Sequence, residues 1–451
     1  MVERDETERK VLAGDDALDL WRKGKDCWNA WADNPDNEGC CVDFSGVLFK
    51  AENDEDVNFV GYRFPGDAEF QGASFGGNAN FKDAKFGGRA SFGTAKFDGV
   101  AIFAEAMFYS FADFEQATFG GYAYFQYAKF DFDADFLIAI FGGEAGFKGA
   151  KFSGYAFFRE AVFRGLANFE EAKFSGVADF MGAKFDSNAS FESAEFTNDG
   201  KFVSVEFDGY TDFTGCKFTS RAGFDYTNFG DDADFSGTTF DGAISFTGSI
   251  FHNVPDLRQT ITKAHITLYE MRVEYEKERN WIAFRQATDH EAADKFRRLK
   301  QLAIEAKDHQ RELVFLANEF RTERFHDTTG IRLIPNYLYA WTSDFGQSIQ
   351  RPFWYLVTLW LLVAQILLRD GSIFAPPYSR AADALLVSAG NLLPFIGGSR
   401  AAIARKDRLF PKTEFPDGIP AWVDAVSIIE GLLAAVFIFL IGLALRNRFR
   451  L

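Results

Sequence analysis

Phenylalanine recurs along this chain at 59, 64, 70, 75, 81, 86, 92 and 97, and the series continues unbroken to 246 and 251. The steps alternate between five and six residues, an 11-residue period held for about 18 units. Two places before each Phe the residue is almost always small: Ala68, Ala73, Ala79, Ala84, Ala90 and onward to Ala194. Val205, Thr211, Cys216, Thr227, Thr238 and Ser249 take the same slot later. Neither a 3.6-residue helical period nor the alternation of long strands produces this register.

The pattern sets two inward positions per unit, one large and one small. Phe75, Phe81, Phe86 and Phe92 are the large members of a typical stretch, with Ala79 and Ala84 the small ones. Polar residues fill the rest, as in Phe81-Lys-Asp-Ala-Lys-Phe86. Such a unit cannot bury its apolar side alone; it becomes stable only when coils stack and like residues form ladders. In the six-residue steps the second position after Phe is usually glycine, as at Gly77, Gly88, Gly99, Gly121, Gly143, Gly154, Gly165, Gly176, Gly209 and Gly242. These positions read as corners where a positive-φ backbone is expected.

Ala-x-Phe at alternating five- and six-residue steps resembles the pentapeptide-repeat family in its Phe-centred variant. The resemblance implies a right-handed quadrilateral β-helix over residues 59–251. With four units and about 22 residues per coil, it implies about nine coils and, at the usual strand spacing, a rod roughly 40 Å long. Residues 1–58, with Leu18, Leu20, Trp21, Trp28 and Trp31 ahead of Val42-Asp-Phe-Ser-Gly46, resemble the N-terminal helical cap that precedes such solenoids. An open solenoid end exposes Phe and unpaired strand edges, so a cap answers a physical need.

Charge and cysteine content exclude several function classes. The net charge is −17, but it is uneven: residues 1–251 are strongly acidic and residues 252–451 carry a small positive excess. Nucleic-acid binding rests on Lys and Arg neutralising phosphates, so no nucleic-acid partner is expected. Cys27, Cys40, Cys41 and Cys216 form no CxxC and have no His nearby, and no His lies within the repeat. His309 and Glu312 share a helix face without further ligands. These absences predict no metal, no cofactor, no catalytic residue and no enzyme activity. The charged N-terminus lacks an apolar core, and so no secretory signal is expected.

After Phe251 the repeat gives way to a glycine-poor stretch, and residues 252–345 read as an amphipathic helical connector. Leu257, Ile261, Ala264, Leu268, Met271 and Tyr275 suggest a helix over about 256–283. Phe296, Leu299, Leu302, Ala303, Ala306, Leu313, Leu316, Ala317 and Phe320 suggest one continuous amphipathic helix from Asp294 onward.

Residues 346–451 read as a membrane module with spans at about 353–368 and 426–445. Arg351 and Arg369 bracket the first, and Arg446, Arg448 and Arg450 follow the second. Between them, 381–397 is too short to span and too apolar for an ordinary loop, which points to a re-entrant segment. Pentapeptide repeats fused to a two-helix, ion-channel-like module are a known arrangement. The expected function is therefore an oligomeric channel with a cytoplasmic solenoid sensor or scaffold, and the alternative a membrane-anchored, protein-binding scaffold without conduction. Ser388, Gly390, Asn391, Pro394, Gly397, Glu430 and Gln365 are the pore candidates, because polar or bare backbone groups at membrane depth need a partner or water. No Thr-x-Gly-Tyr-Gly filter is present. The expected partners are a lipid bilayer, further copies of the chain and a protein ligand on the solenoid. The expected location is the inner membrane of a bacterium, multi-pass, with both termini cytoplasmic.

Overall fold

The computed structural model describes residues 10–49, 56–275, 277–279, 285–371, 377–392 and 400–449. The chain divides between Asp308 and His309 into two compact units.

The first unit is a parallel β-solenoid of about ten turns. Two-residue strands stack into four parallel ladders of 12, 11, 9 and 10 strands. One turn runs through Ala90–Ser91 in the first ladder, Lys96–Phe97 in the second, Ala101–Ile102 in the third and Met107–Phe108 in the fourth. Ala112 then pairs with Ala90, 22 residues on. Backbone bonds join each turn to its neighbours: Phe92 N donates to Asp113 O (2.6 Å), and Lys96 N to Ala73 O (2.8 Å) in the other direction.

The core is the repeat itself. Every Phe of the repeat series from 59 to 251 and nearly every residue in the small slot is buried. Rings one turn apart lie face to face, as in Phe114–Phe136 at 4.9 Å and 1° and Phe136–Phe158 at 4.8 Å and 1°. Rings on facing ladders meet edge-on, as in Phe125–Phe136 at 5.4 Å and 89°. The ring quadrupole favours the edge-on contacts, and the spacing of the turns sets the parallel columns. In most small slots that carry a polar atom a Phe carbonyl accepts from it, as Cys216 Sγ donates to Phe191 O (2.8 Å) and Thr238 Oγ1 to Phe213 O (2.6 Å). Burial in this stack pushes the Cys216 thiol far up from its ordinary pKa, which keeps it neutral.

The glycines of the six-residue steps do a different job from the one their spacing suggests. None of Gly88, Gly99, Gly121, Gly143, Gly154, Gly165, Gly176, Gly209 or Gly242 has a positive φ. Each lies so close to the preceding turn that a Cβ would collide with backbone; at Gly176 it would sit 2.0 Å from Gly154 O. An Asp or Asn side chain one turn earlier closes several of these corners, as where Asp133 Oδ1 accepts from Tyr155 N (2.8 Å). Positive φ occurs in the five-residue steps instead. There Ala84 N bonds to Phe81 O (3.1 Å) and Asp83 takes φ 58°, the third position of a type II turn. Thr94, Glu105, Gln116 and Tyr127 repeat it, and glycine takes the place at Gly72, Gly149 and Gly182.

The strands extend beyond 59–251 on both sides. Val11–Ala13 and Cys41–Asp43 begin the first ladder. Among the described residues of 256–283 the expected helix is absent: Ile261–Thr262, Ile266–Thr267 and Arg272–Val273 continue three ladders. Leu257 and Leu268 stand one turn beyond Phe235 and Phe246 and are buried in their slots, with Thr260 and Met271 in the small ones. Helices α1 (Gly14–Arg22) and α2 (Lys25–Ala32) bring Trp21 and Trp28 onto the first turn. Trp21 stacks on Phe59 (5.5 Å), and Trp28 meets Phe64 (5.4 Å) while its indole donates to Arg63 O (2.8 Å). At the other end α3 (Ala292–Glu305) lays Phe296 against Tyr275, and Arg298 donates to the Thr260 (2.9 Å) and Leu257 (3.3 Å) carbonyls.

The expected single helix from Asp294 is two. Helix α3 ends where Lys307 takes φ 57° and Asp308 N bonds back to Ala303 O (2.9 Å), and α4 (His309–Thr322) starts afresh. The second unit continues with α5 (Leu333–Ser343), α6 (Gln350–Asp370), α7 (Pro377–Leu392), α8 (Arg400–Leu409) and α9 (Ala421–Arg448).

Gly176→Ala should lower the solenoid's stability by about 1–3 kcal/mol, the usual cost of overpacking. Gly76→Ala, whose Cβ would sit 3.8 Å from its nearest neighbour, should stay near wild type. Asp83→Gly should stabilise by up to about 1 kcal/mol, since a left-handed non-glycine residue costs roughly 1–2 kcal/mol and glycine's extra unfolded freedom offsets part of that. Thermal unfolding followed by β-sheet circular dichroism checks all three.

Candidate functional site: a buried polar cluster among apolar helices

By length and composition α6 and α9 are able to cross a membrane. Both run past the expected spans, by about a turn at the start of α9. Most of their surface is open: Ile428, Leu432, Val436 and Phe439 on α9 and Leu361 and Leu362 on α6 are all exposed. They pack on each other and on α7 through Val363, Leu367, Ala384, Val387 and Val423, with Leu409 and Phe410 closing the cluster.

Inside this apolar seam sits a carboxyl group. Glu430 is 1% exposed, and its two oxygens contact Ser388 Oγ and Asn391 Nδ2, the latter at 2.9 Å. Ser388, itself fully buried, also donates to Trp360 O (2.9 Å), and the Trp360 indole donates to Leu385 O (2.9 Å). The spacing explains the meeting: Ser388 and Asn391 are three apart on α7, hence neighbours on one face. One hydroxyl proton serves one acceptor well. Ser388 Oγ lies within hydrogen-bonding reach of both Glu430 and the Trp360 carbonyl, and Asn391 Nδ2 donates to the other Glu430 oxygen. With both oxygens partnered, the carboxyl group avoids the cost of an unsatisfied polar group in an apolar seam.

Of the pore candidates, Ser388, Asn391 and Glu430 therefore come together, and Gly390 is buried beside them on α7. Gln365 is exposed on α6 and makes no contact with the cluster. Pro394 and Gly397 lie outside the described residues. The segment expected to re-enter begins as a 16-residue helix. Two features escaped the sequence reading. One is the Trp360 carbonyl, which no side-chain pattern reveals. The other is a forked ion pair, Arg408 Nε to Asp383 Oδ2 (2.8 Å) and Nη2 to Oδ1 (2.5 Å), joining α8 to α7. A lone carboxylate in the apolar stretch 381–397 was the signal for the second. Among the described residues no group of three His, Cys, Asp or Glu could hold a metal ion.

Residues 202–254 match the family model described as pentapeptide repeats (9 copies). The solenoid is built of pentapeptide repeats. No curated protein and no solved structure matches the chain. The pentapeptide-repeat solenoid thus has a recognised architecture, while the helical unit stands on its own geometry.

Glu430→Gln should keep the helical unit's thermal stability in detergent, because the amide can donate to Ser388 and accept from Asn391. Glu430→Ala should lose about 0.6–1.7 kcal/mol, the measured scale of hydrogen bonds between membrane helices. Equal loss in both variants would mean that the charge, not the hydrogen-bond set, holds the helices.

Proposed function

We propose that the chain is an integral membrane protein in which α6 and α9 root a pentapeptide-repeat scaffold that binds a protein partner. The observation that carries this reading is the closure of the polar cluster: Glu430, Ser388 and Asn391 satisfy one another within one chain. Groups spent in this way hold helices together and need no water-filled axis. In this reading the solenoid is right-handed and quadrilateral, with the N-terminal helices as its cap. Two spans put both termini on one side, and Arg446 and Arg448 in the last turn of α9 favour the cytoplasm. A bacterial inner membrane suits this topology.

A channel is the second reading, favoured by one feature: α7, a 16-residue helix short of a full span, lies between two longer apolar helices and packs on both. It would need several copies around an axis, with the exposed faces of α6 and α9 in contact.

Reconstitution of the full chain into planar bilayers separates the two. The scaffold reading predicts no single-channel current. Current that Glu430→Ala or Asn391→Ala alters would overturn it in favour of the channel.

A further inference from the structure

One outward column of the fourth ladder reads Arg63, Lys85, Met107, Lys129, Lys151, Lys173, Glu195, Lys217, one residue per turn in register. The rings beside the central three give their spacing: Phe130–Phe152 is 4.8 Å and Phe152–Phe174 is 4.9 Å. Three exposed lysines are thus stacked directly on one another on an acidic molecule. Like charges in opposed register destabilise a sheet. Elsewhere the solenoid uses the same 22-residue register to neutralise lysine: Lys148 meets Glu170 (2.7 Å), Lys184 meets Glu206 (3.6 Å) and Lys263 meets Asp241 (2.7 Å). Lys173 finds Glu195 at 3.1 Å, at the end of the row. Lys129 and Lys151 have no carboxylate within ion-pair distance among the described residues. Two residues further on, the next outward column presents Asp131, Ser153 and Ser175, all exposed. The two serine hydroxyls have no protein partner among the described residues. Two turns therefore each present a lysine beside a free hydroxyl, the Lys151 ammonium open and that of Lys173 shared with Glu195, and Asp131 and Glu195 bound the strip.

We propose that the Lys129–Lys151–Lys173 strip docks an α-helix of a partner protein that carries one carboxylate per turn. A helix advances about 5.4 Å per turn, only ~0.5 Å more than one turn of the solenoid. Across three turns the mismatch is ~1 Å, which a lysine arm absorbs. An extended strand repeats one face every ~6.8 Å and runs ~4 Å out of phase by the third lysine. A long polyanion suits the strip poorly, because the acidic remainder of the solenoid repels it. This rests on the scaffold reading and names its partner, but the binding assay reads it whether or not the chain conducts ions.

The test is fluorescence anisotropy of the full-length protein in detergent with a labelled helical peptide of about 20 residues, Glu on one stripe. A peptide of the same composition with Glu spread around the helix is the comparison. The stripe peptide should bind about tenfold tighter. Lys151→Glu/Lys173→Glu should lose that advantage, Lys151→Gln/Lys173→Gln should lose part of it, and Lys96→Glu, on another ladder, should keep it. Unchanged circular dichroism in each variant separates lost binding from lost fold. Equal affinity for the two peptides, indifference to the lysine substitutions, or no binding of the stripe peptide would each overturn the proposal.

Discussion

One dimension governs the first unit: the rise from turn to turn. Parallel backbone hydrogen bonding fixes strands about 4.8 Å apart, and phenyl rings in face-to-face columns repeat at the same interval, as at Phe97–Phe119 and Phe119–Phe141, 4.9 and 5.0 Å. Backbone and side chains therefore demand one spacing, and neither is strained to satisfy the other. Everything outward inherits that spacing. Acid–base pairs 22 residues apart, the Asp and Asn side chains that close corners, and the lysine strip all follow from it. The glycines follow too, because turns so close leave no room for a Cβ at the tight corners.

The period of Phe and Ala made the solenoid legible before any coordinates, since alternating steps of five and six residues fit neither a helical nor a strand period. The same reading misassigned the glycines because composition cannot distinguish a residue that needs positive φ from one that needs the absence of Cβ. It also placed a helix at 256–283. Leu257 and Leu268 are themselves 11 apart and continue the columns of Phe235 and Phe246, but without aromatic rings the step passed for helical spacing. The break at Lys307 was invisible for a related reason: a left-handed cap normally announces itself with glycine, and here a lysine fills it.

In the helical unit the sequence pointed to Glu430, Ser388 and Asn391 because polar side chains are conspicuous in apolar runs. What it could not supply was their direction. The structure turns all three inward to one another and to the Trp360 carbonyl, while Gln365 faces away. A buried polar set with every member satisfied fixes the register of helices that apolar packing alone would leave free to slide. In the proposed reading the open apolar faces of α6 and α9 meet hydrocarbon, where burying them within the chain would gain nothing.

The account stands or falls on the claim that these helices are embedded in lipid. Membranes from cells producing the full chain, washed with alkaline carbonate and floated on a density gradient, test it most directly. The protein is predicted to float with the lipid and to leave it only in detergent. Release into the carbonate supernatant as folded, soluble protein would contradict it.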